Sequence, residues 1–444
     1  MKLYRTIEND LLKWKETSDR KPLVLEGARQ VGKTWSIRMF GKRHYAKTAY
    51  LNFESTPELS QEFRCTKSPD RIIGILELYC GFKITPSDTL IIFDEIQECE
   101  DALVSLKYFS EDPTGYHIIA AGSLLGVAAA RSGSFPVGKV DFLHMYPLTF
   151  KEMLHSIDIQ TYEYLENIER LDKLPAIIYS KLYTYYRQYL ICGGMPQAVT
   201  VMLETKDTAK VDETLRGILH SYTLDFSKHA PKTDIPRIGE IWNSLPSQLA
   251  KENRKFIYKL VRPGARAREY ENALLWLQQA GMVYRVNCCS KPAIPLTAYD
   301  DISAFKIYVF DIGILRVMSG LPASVFWENT PLFAEFKGAY FENAVLQSII
   351  TQFDVSPRYW ISNSGRAEVD FLLQVDRELL PIEVKSSDNT SGQSLAQYIK
   401  NFSPQKALVI SSMNVSVKES ETTRIFHIPH PFTDWLKEFL NQKY

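Results

Sequence analysis

The stretch Gly27-Ala28-Arg29-Gln30-Val31-Gly32-Lys33-Thr34 constrains this chain more than any other. It has the spacing G-x-x-x-x-G-K-[ST] in the context that spacing requires. The apolar run Pro22-Leu23-Val24-Leu25 precedes it as a strand, and a helical pattern follows. The glycines let successive backbone N–H groups turn inward around phosphate oxygens. Lys33 is placed to neutralise the β- and γ-phosphates, and the Thr34 hydroxyl to ligate Mg²⁺. The amino end of the next helix adds its partial positive charge. Gly27, Ala28, Arg29, Gln30, Val31, Gly32, Lys33 and Thr34 are therefore the expected nucleotide-binding residues.

A loop of this kind belongs to a parallel sheet, and further strands are legible. Apolar runs at 49–53, 89–93 and 117–121 are separated by helix-length segments. Uninterrupted rather than alternating apolar strands indicate a sheet covered on both faces. The run Leu90-Ile91-Ile92-Phe93 ends in Asp94-Glu95, sixty residues beyond the glycine loop. Asp94 is expected to hold Mg²⁺ through water, and Glu95 to polarise an attacking water. Acids there also suit a helix cap. Residues 88–112 carry eight acids and one lysine, so much of that segment reads as a solvated face. The run Ile118-Ile119-Ala120-Ala121 ends in Gly122-Ser123. Ser123 either reaches the γ-phosphate or the lytic water, or simply closes a strand-end turn.

Composition narrows the class. Among 444 residues, 45% are hydrophobic and 23% charged, which excludes a disordered, collagenous or coiled-coil chain. Fifty-two basic residues balance fifty-two acidic ones, so any nucleic-acid or membrane partner must be met by a local patch. None of the six cysteines has C-x-x-C spacing, which argues against a disulfide framework or zinc knuckle. The amino terminus is charged and has no signal-peptide core. The longest uncharged stretch, Tyr116 to Ala130, is too short to span a bilayer. The expected location is the cytoplasm, with no membrane partner.

Residues 160–230 read as helices, broken at Gly193-Gly194-Met195-Pro196. Residues 231–290 hold ten Lys or Arg against five Asp or Glu, and read as helix, turn, helix and an apolar ribbon at 282–286. From about residue 301 another α/β unit follows. Its expected helices are 333–352, 392–402 and 431–441, and its strands 358–362, 367–374, 379–385 and 406–411. Two of these strands carry Asp370 on one and Glu383 and Lys385 on the other. Glu383 and Lys385 share a face because strand side chains alternate. Asp370 lies thirteen residues before Glu383, a hairpin's distance. Glu342 sits in the preceding helix and Gln397 in the following one. A cross-strand ion pair would leave the same trace.

The order of these pieces resembles an AAA-type ATPase. More closely, it is similar to a prokaryotic family in which such an ATPase is fused to a C-terminal domain of unknown function. The phrases are Glu26 to Thr34, Phe93-Asp94-Glu95-Ile96-Gln97, Ala121-Gly122-Ser123, Tyr146-Pro147-Leu148-Thr149-Phe150, Gly193-Gly194-Met195-Pro196 and Tyr308-Val309-Phe310-Asp311-Ile312-Gly313. The resemblance implies ATP rather than GTP, and Mg²⁺; AAA relatives often form rings, so a homo-oligomer is open here, beside a monomer or dimer. Relatives often place an arginine just before the Pro-Leu-Ser/Thr-Phe phrase. This chain has Gly138-Lys139, which lacks the planar fork. Arg131 is a possible substitute, and the arginine finger stays unassigned.

The basic segment resembles a winged helix. That implies a recognition helix offering Arg262, Arg266 and Arg268 to DNA, or a module that only packs on the ATPase and relays its state. The C-terminal unit resembles the PD-(D/E)xK nuclease core. That implies Asp370 and Glu383 as metal ligands, Glu342 assisting, and Lys385 orienting water or stabilising the phosphate. The expected fold is α/β. An AAA-like P-loop parallel sheet occupies 1–155, a helical lid 156–230, a winged helix 231–300 and a nuclease-like domain 301–444. The expected function is ATP hydrolysis coupled to DNA binding and metal-dependent DNA cleavage. Two alternatives stand beside it: an ATPase switch whose nuclease-like domain binds nucleic acid or protein without cutting, and a pure partner-binding adaptor.

Overall fold

The computed structural model describes residues 2–123, 136, 138–168, 173–251, 255–328, 334–353, 355–386, 392–420 and 422–441. They divide into two units. The first is Arg5–Pro147 with Gln279–Met282, and the second is Met1–Tyr4, Leu148–Gln278 and Val283–Tyr444.

The first unit is built on five strands: β1 Leu23–Glu26, β2 Lys47–Asn52, β3 Thr89–Asp94, β4 His117–Ala121 and β5 Asp141–His144. Their order is β2-β3-β4-β1-β5, all parallel. β3 and β4 are buried along their whole length, as their apolar sequence requires. Five helices accompany them: α1 Ile7–Glu16, α2 Lys33–His44, α3 Leu59–Cys65, α4 Pro69–Cys80 and α5 Glu100–Glu111. α1 buries Ile7, Leu11 and Trp14. It carries Glu8 and Asp10 in its first turn and Lys13 and Lys15 in its last, which suits the helix dipole. α4 starts with Pro69 and stops at Gly81 in the left-handed conformation. Phe53, Phe63 and Phe93 meet edge to face at 5.4–5.7 Å in the core cluster that also takes in α3, α4 and α5.

The register explains where this unit's chemistry gathers. Leu25, Ala121 and Asp94 lie in one row across β1, β4 and β3. The residues after those positions leave the sheet together at its carboxyl edge, where open α/β sheets bind ligands.

The second unit opens with helices Phe150–Ile157, Ile159–Glu166, Ala176–Cys192, Pro196–Thr205 and Thr208–His229. Thr149 and Glu152 form a capping box on the first of them. Three more helices follow at Ile235–Leu249, Tyr258–Val261 and Ala267–Gln279. Then comes an antiparallel pair, β6 Val283–Cys289 and β7 Asp300–Val309. The remaining strands are β8 Arg358–Ile361, β9 Glu368–Val375, β10 Glu378–Val384, β11 Lys406–Ser411, β12 Ser416–Glu419 and β13 Arg424–Pro429. All eight make one mixed sheet in the order β12-β13-β11-β10-β9-β8-β6-β7.

The divisions expected at 230 and 300 both fall inside this unit. The ribbon after the basic helices is continuous with the C-terminal sheet, because β6 pairs with β8 in parallel and β7 begins at Asp300. The helix Gln393–Phe402 places Leu395 and Tyr398 in a core with Cys289, Trp360, Val369 and Val409. All six cysteines are unpaired. Among the described residues no helix is long and apolar enough to cross a membrane.

Candidate functional site

The glycine loop joins β1 to α2. Gly27 has φ 143°, and a Cβ there would stand 2.1 Å from the Met145 carbonyl oxygen, so only glycine fits. Gln30 (φ 62°) and Gly32 (φ 98°) also turn left-handed. Lys33 is buried, and its Nζ donates to the carbonyls of Gly27 at 2.9 Å and Ala28 at 2.8 Å. Burial lowers its pKa to about 8, against the pull of Glu95 and Asp94. Thr34 Oγ1 donates to Asp94 at 2.9 and 3.1 Å from its two carboxylate oxygens. The two residues expected to share one cation are thus already neighbours. A hydroxyl beside a buried carboxylate, both oxygen donors, fits the preference of Mg²⁺.

Tyr50 and Asn52 at the end of β2 also donate to Asp94, at 2.7 and 3.4 Å. Glu95 sits in the left-handed region at φ 50°, and Gln97 donates to its carboxylate at 2.5 Å. A non-glycine residue held there stores strain of the kind found at functional positions. Ser123 is buried, and among the described residues its Oγ has no hydrogen-bond partner. Arg5 donates to the Val31 carbonyl at 2.9 Å and steadies the loop from outside. Sequence spacing holds no hint of Arg5, Tyr50 or Asn52, because Arg5 acts from the segment before α1 and the other two from the neighbouring strand β2.

Lys139 does not stand where the missing arginine is expected. It precedes β5, at the strand end opposite the loop, and is ion-paired to Glu111 at 2.8 Å. Arg131 lies outside the described residues.

In the second unit, β9 and β10 pair antiparallel with Ile382 opposite Phe371, which puts Glu383 and Asp370 at the next position. Both are buried. Asp370 Oδ2 accepts the Val384 amide at 2.8 Å. Lys385 Nζ donates to Glu383 Oε1 at 2.5 Å, from the same face. Glu383 Oε2 is buried, with no hydrogen-bond partner among the described residues. Burial, then the charge of Asp370, pushes the Glu383 carboxyl up to about 7.

Glu342 has other company. It accepts from the Tyr308 hydroxyl at 3.2 Å and stands 4.0 Å from Lys306. Lys306 has no exposed surface and also donates to Glu368. Among the described residues no three His, Cys, Asp or Glu side chains gather as a metal site. Glu342 therefore does not complete a carboxylate triad with Asp370 and Glu383. Gln397 is exposed on its helix. Lys306 is legible in hindsight as the lone cation in an apolar strand, but its partners lie 36 and 62 residues away.

Arg262, Arg266 and Arg268 are all exposed, around the start of the helix Ala267–Gln279. Arg262 has Glu240 at 3.7 Å. The Arg266 amide donates to Glu269 at 3.2 Å, closing the helix's first turn.

Residues 19–154 match the AAA domain family, residues 183–325 a domain of unknown function (DUF8612), and residues 337–430 a second one (DUF4143). The first unit is thus an AAA-type P-loop ATPase domain. The chain is similar to the Walker-type ATPase of Pyrococcus abyssi at 15% identity, covering 71% of this chain and 96% of that one, with a TM-score of 0.45. It is similar to the ORC1 protein of Aeropyrum pernix, solved in complex with DNA, at 11% identity. Coverage there is 74% and 95%, and the TM-score 0.30. It is also similar to Thermotoga maritima RuvB at 13% identity, with coverage of 64% and 90% and a TM-score of 0.29. No curated protein matches the chain.

Proposed function

We propose that this protein hydrolyses ATP at the loop Gly27–Thr34 and couples that turnover to DNA binding and metal-dependent DNA cleavage by the C-terminal part. Bound Mg²⁺ would supply charge neutralisation for the phosphates. The chain supplies the rest. Lys33 offers a buried cation and Thr34 and Asp94 an oxygen pair. Glu95, strained and held by Gln97, is the group to orient the attacking water, and Ser123, just past the end of β4, is the hydroxyl to meet the γ-phosphate or that water. Burial of Lys33 strengthens each of these charge interactions.

The observation that carries the cleavage reading is the unpartnered Glu383 Oε2, buried opposite Asp370 and beside Lys385. An orphaned carboxylate oxygen costs about 1–3 kcal/mol, and one next to a like charge costs more. A divalent cation would offset both. Asp370 and Glu383 are the residues to hold it, and it would stabilise charge on a phosphodiester. Lys385 is placed to stabilise the same charge. The order of helix, β8, β9, β10, helix and β11 also supports a PD-(D/E)xK reading. Arg262, Arg266 and Arg268 are the residues proposed to meet DNA, and a homo-oligomer is the proposed assembly.

One observation favours the non-cutting switch. Lys306 occupies Glu342, leaving two acids where three were expected. Incubation of supercoiled and single-stranded DNA with Mg²⁺ or Mn²⁺, with and without ATP, separates the two readings. Cutting that disappears in Asp370→Ala supports the nuclease. ATP hydrolysis with no cutting by either protein supports the switch.

A further inference from the structure

The helix Ala176–Cys192 carries Tyr179, Tyr183, Tyr186 and Arg187 at helical spacing, so they share one face. Lys337 and Phe341, one turn apart on the helix Ala334–Ile350, line the same cavity of about 590 Å³. Ser386, the residue after Lys385, and His430 complete its polar lining. The cavity lies wholly within the second unit.

Three features say what it takes. First, its walls are aromatic and held in place. The Tyr183 hydroxyl donates to the Ser411 carbonyl at 3.1 Å, and the Tyr179 hydroxyl to that of Ser412. The Tyr179 and Tyr183 rings lie 4.8 Å apart, and Phe341 lies 4.3 Å from the His430 ring. Second, Arg187 and Lys337 face one lining acid among the described residues, Glu328. Third, His430 is 1% exposed, with Nδ1 3.3 Å from the Tyr183 hydroxyl and a hydrogen bond to the Lys385 backbone. Burial, opposed by the hydrogen bond to the Lys385 backbone and with Lys337 adding to it, lowers its pKa to about 3, so the ring stays neutral.

We infer that this cavity receives an unpaired nucleotide, its base against the aromatic wall and its phosphate toward Arg187 and Lys337. The volume lies within the roughly 300–1,000 Å³ typical of small-ligand sites. Aromatic faces hold unpaired bases with about 1–3 kcal/mol each, whatever the base. This inference rests on reading Asp370, Glu383 and Lys385 as a phosphodiester site. Ser386 joins that strand end to the cavity, so a seated nucleotide would leave its phosphodiester near the carboxylate pair. A free nucleotide or one within a single strand would satisfy the same chemistry.

The test uses the full chain with Lys33→Ala, so that the ATPase loop does not report. A fluorescein-labelled oligo-dT is titrated, alongside the abasic strand of equal length. Oligo-dT should bind at least about tenfold more tightly than the abasic strand, the equivalent of about 1.4 kcal/mol. Arg187→Glu with Lys337→Glu, both on accessible side chains, should weaken oligo-dT binding by a similar factor with an unchanged circular dichroism spectrum. Displacement by dTMP would assign the site to free nucleotides, and its absence to strands. Equal affinity for the abasic strand, or unaltered affinity in the double variant, overturns the inference. Cleavage of the same strands by the parent, measured separately, keeps the two readings apart: base-dependent binding without cutting leaves this inference standing and removes the phosphodiester site.

Discussion

The amide of Gly194 donates to Asp311 Oδ2 at 2.7 Å, across 117 residues of sequence. Around this bond three of the family phrases meet. Leu148 donates its amide to the Gly194 carbonyl at 2.7 Å, and Ile314 donates to Asp311 Oδ1 at 2.9 Å. A Cβ on Gly194 would stand 2.1 Å from the Leu148 carbonyl oxygen. Gly194→Ala should therefore destabilise the second unit by about 3 kcal/mol or more, as overpacking against backbone does. Chemical denaturation checks it.

Asp311 is wholly buried, and burial raises its pKa to about 6 despite the amides it accepts. A carboxyl raised on folding contributes stability that is full below its unfolded pKa, about 3.8, and is lost as pH rises through about 6. Wild type should lose stability relative to Asp311→Asn over that window, on the order of 2 kcal/mol. Parallel pH profiles for the two proteins would remove this assignment.

At the ATPase loop, Lys33→Ala should abolish ATP turnover with the fold intact. Glu95→Gln should bind ATP and turn it over about a hundredfold more slowly, within the range for a lost water-positioning group. Wild-type turnover in that variant would take Glu95 out of the role. Rapid-quench hydrolysis and filter-bound nucleotide measure the two steps separately.

Glu383 supplies a metal prediction with a sign. Its carboxyl sits at about 7, so protons compete with a cation below that pH. In nucleotide-free protein, Mg²⁺ should raise the melting temperature more at about pH 8 than at about pH 6, and Asp370→Asn should abolish the shift. A pH-independent shift would move the metal elsewhere.

Lys306→Met should cost about 3–5 kcal/mol, because it leaves Glu342 and Glu368 without their buried cation. Thermal unfolding reads this directly, and a loss below about 1 kcal/mol would mean the pairing is worth no more than an exposed ion pair.

Arg266→Ala with Arg268→Ala should weaken DNA binding evenly across sequences and flatten its dependence on salt, by about one unit of slope for each phosphate no longer neutralised. Both side chains are exposed, so folding should be unaffected. Binding unchanged at low salt would favour a module that only relays the ATPase's state.

Much of the first unit was legible because its signals are local. A strand, its loop and its helix are consecutive in sequence, and β3 and β4 are apolar runs without interruption. β5 was missed because Asp141 and His144 break its pattern, and β12 because it is an exposed edge strand. The carboxylate pair was legible from alternation along β9 and β10. The diversion of Glu342 to Lys306 was not, since nothing near either residue announces the other. The same holds for the union of β6 with β8, which joins positions about seventy residues apart.

That union decides how the chain can be dissected. A fragment starting near residue 300 would carry β7 without β6 and leave β8 with a bare edge, an invitation to aggregate. The carboxylate pair lies on the strands next to that edge, so a short C-terminal piece would be a poor stand-in for the intact protein. An expression boundary that respects the sheet starts before Val283 and brings the basic helices with it.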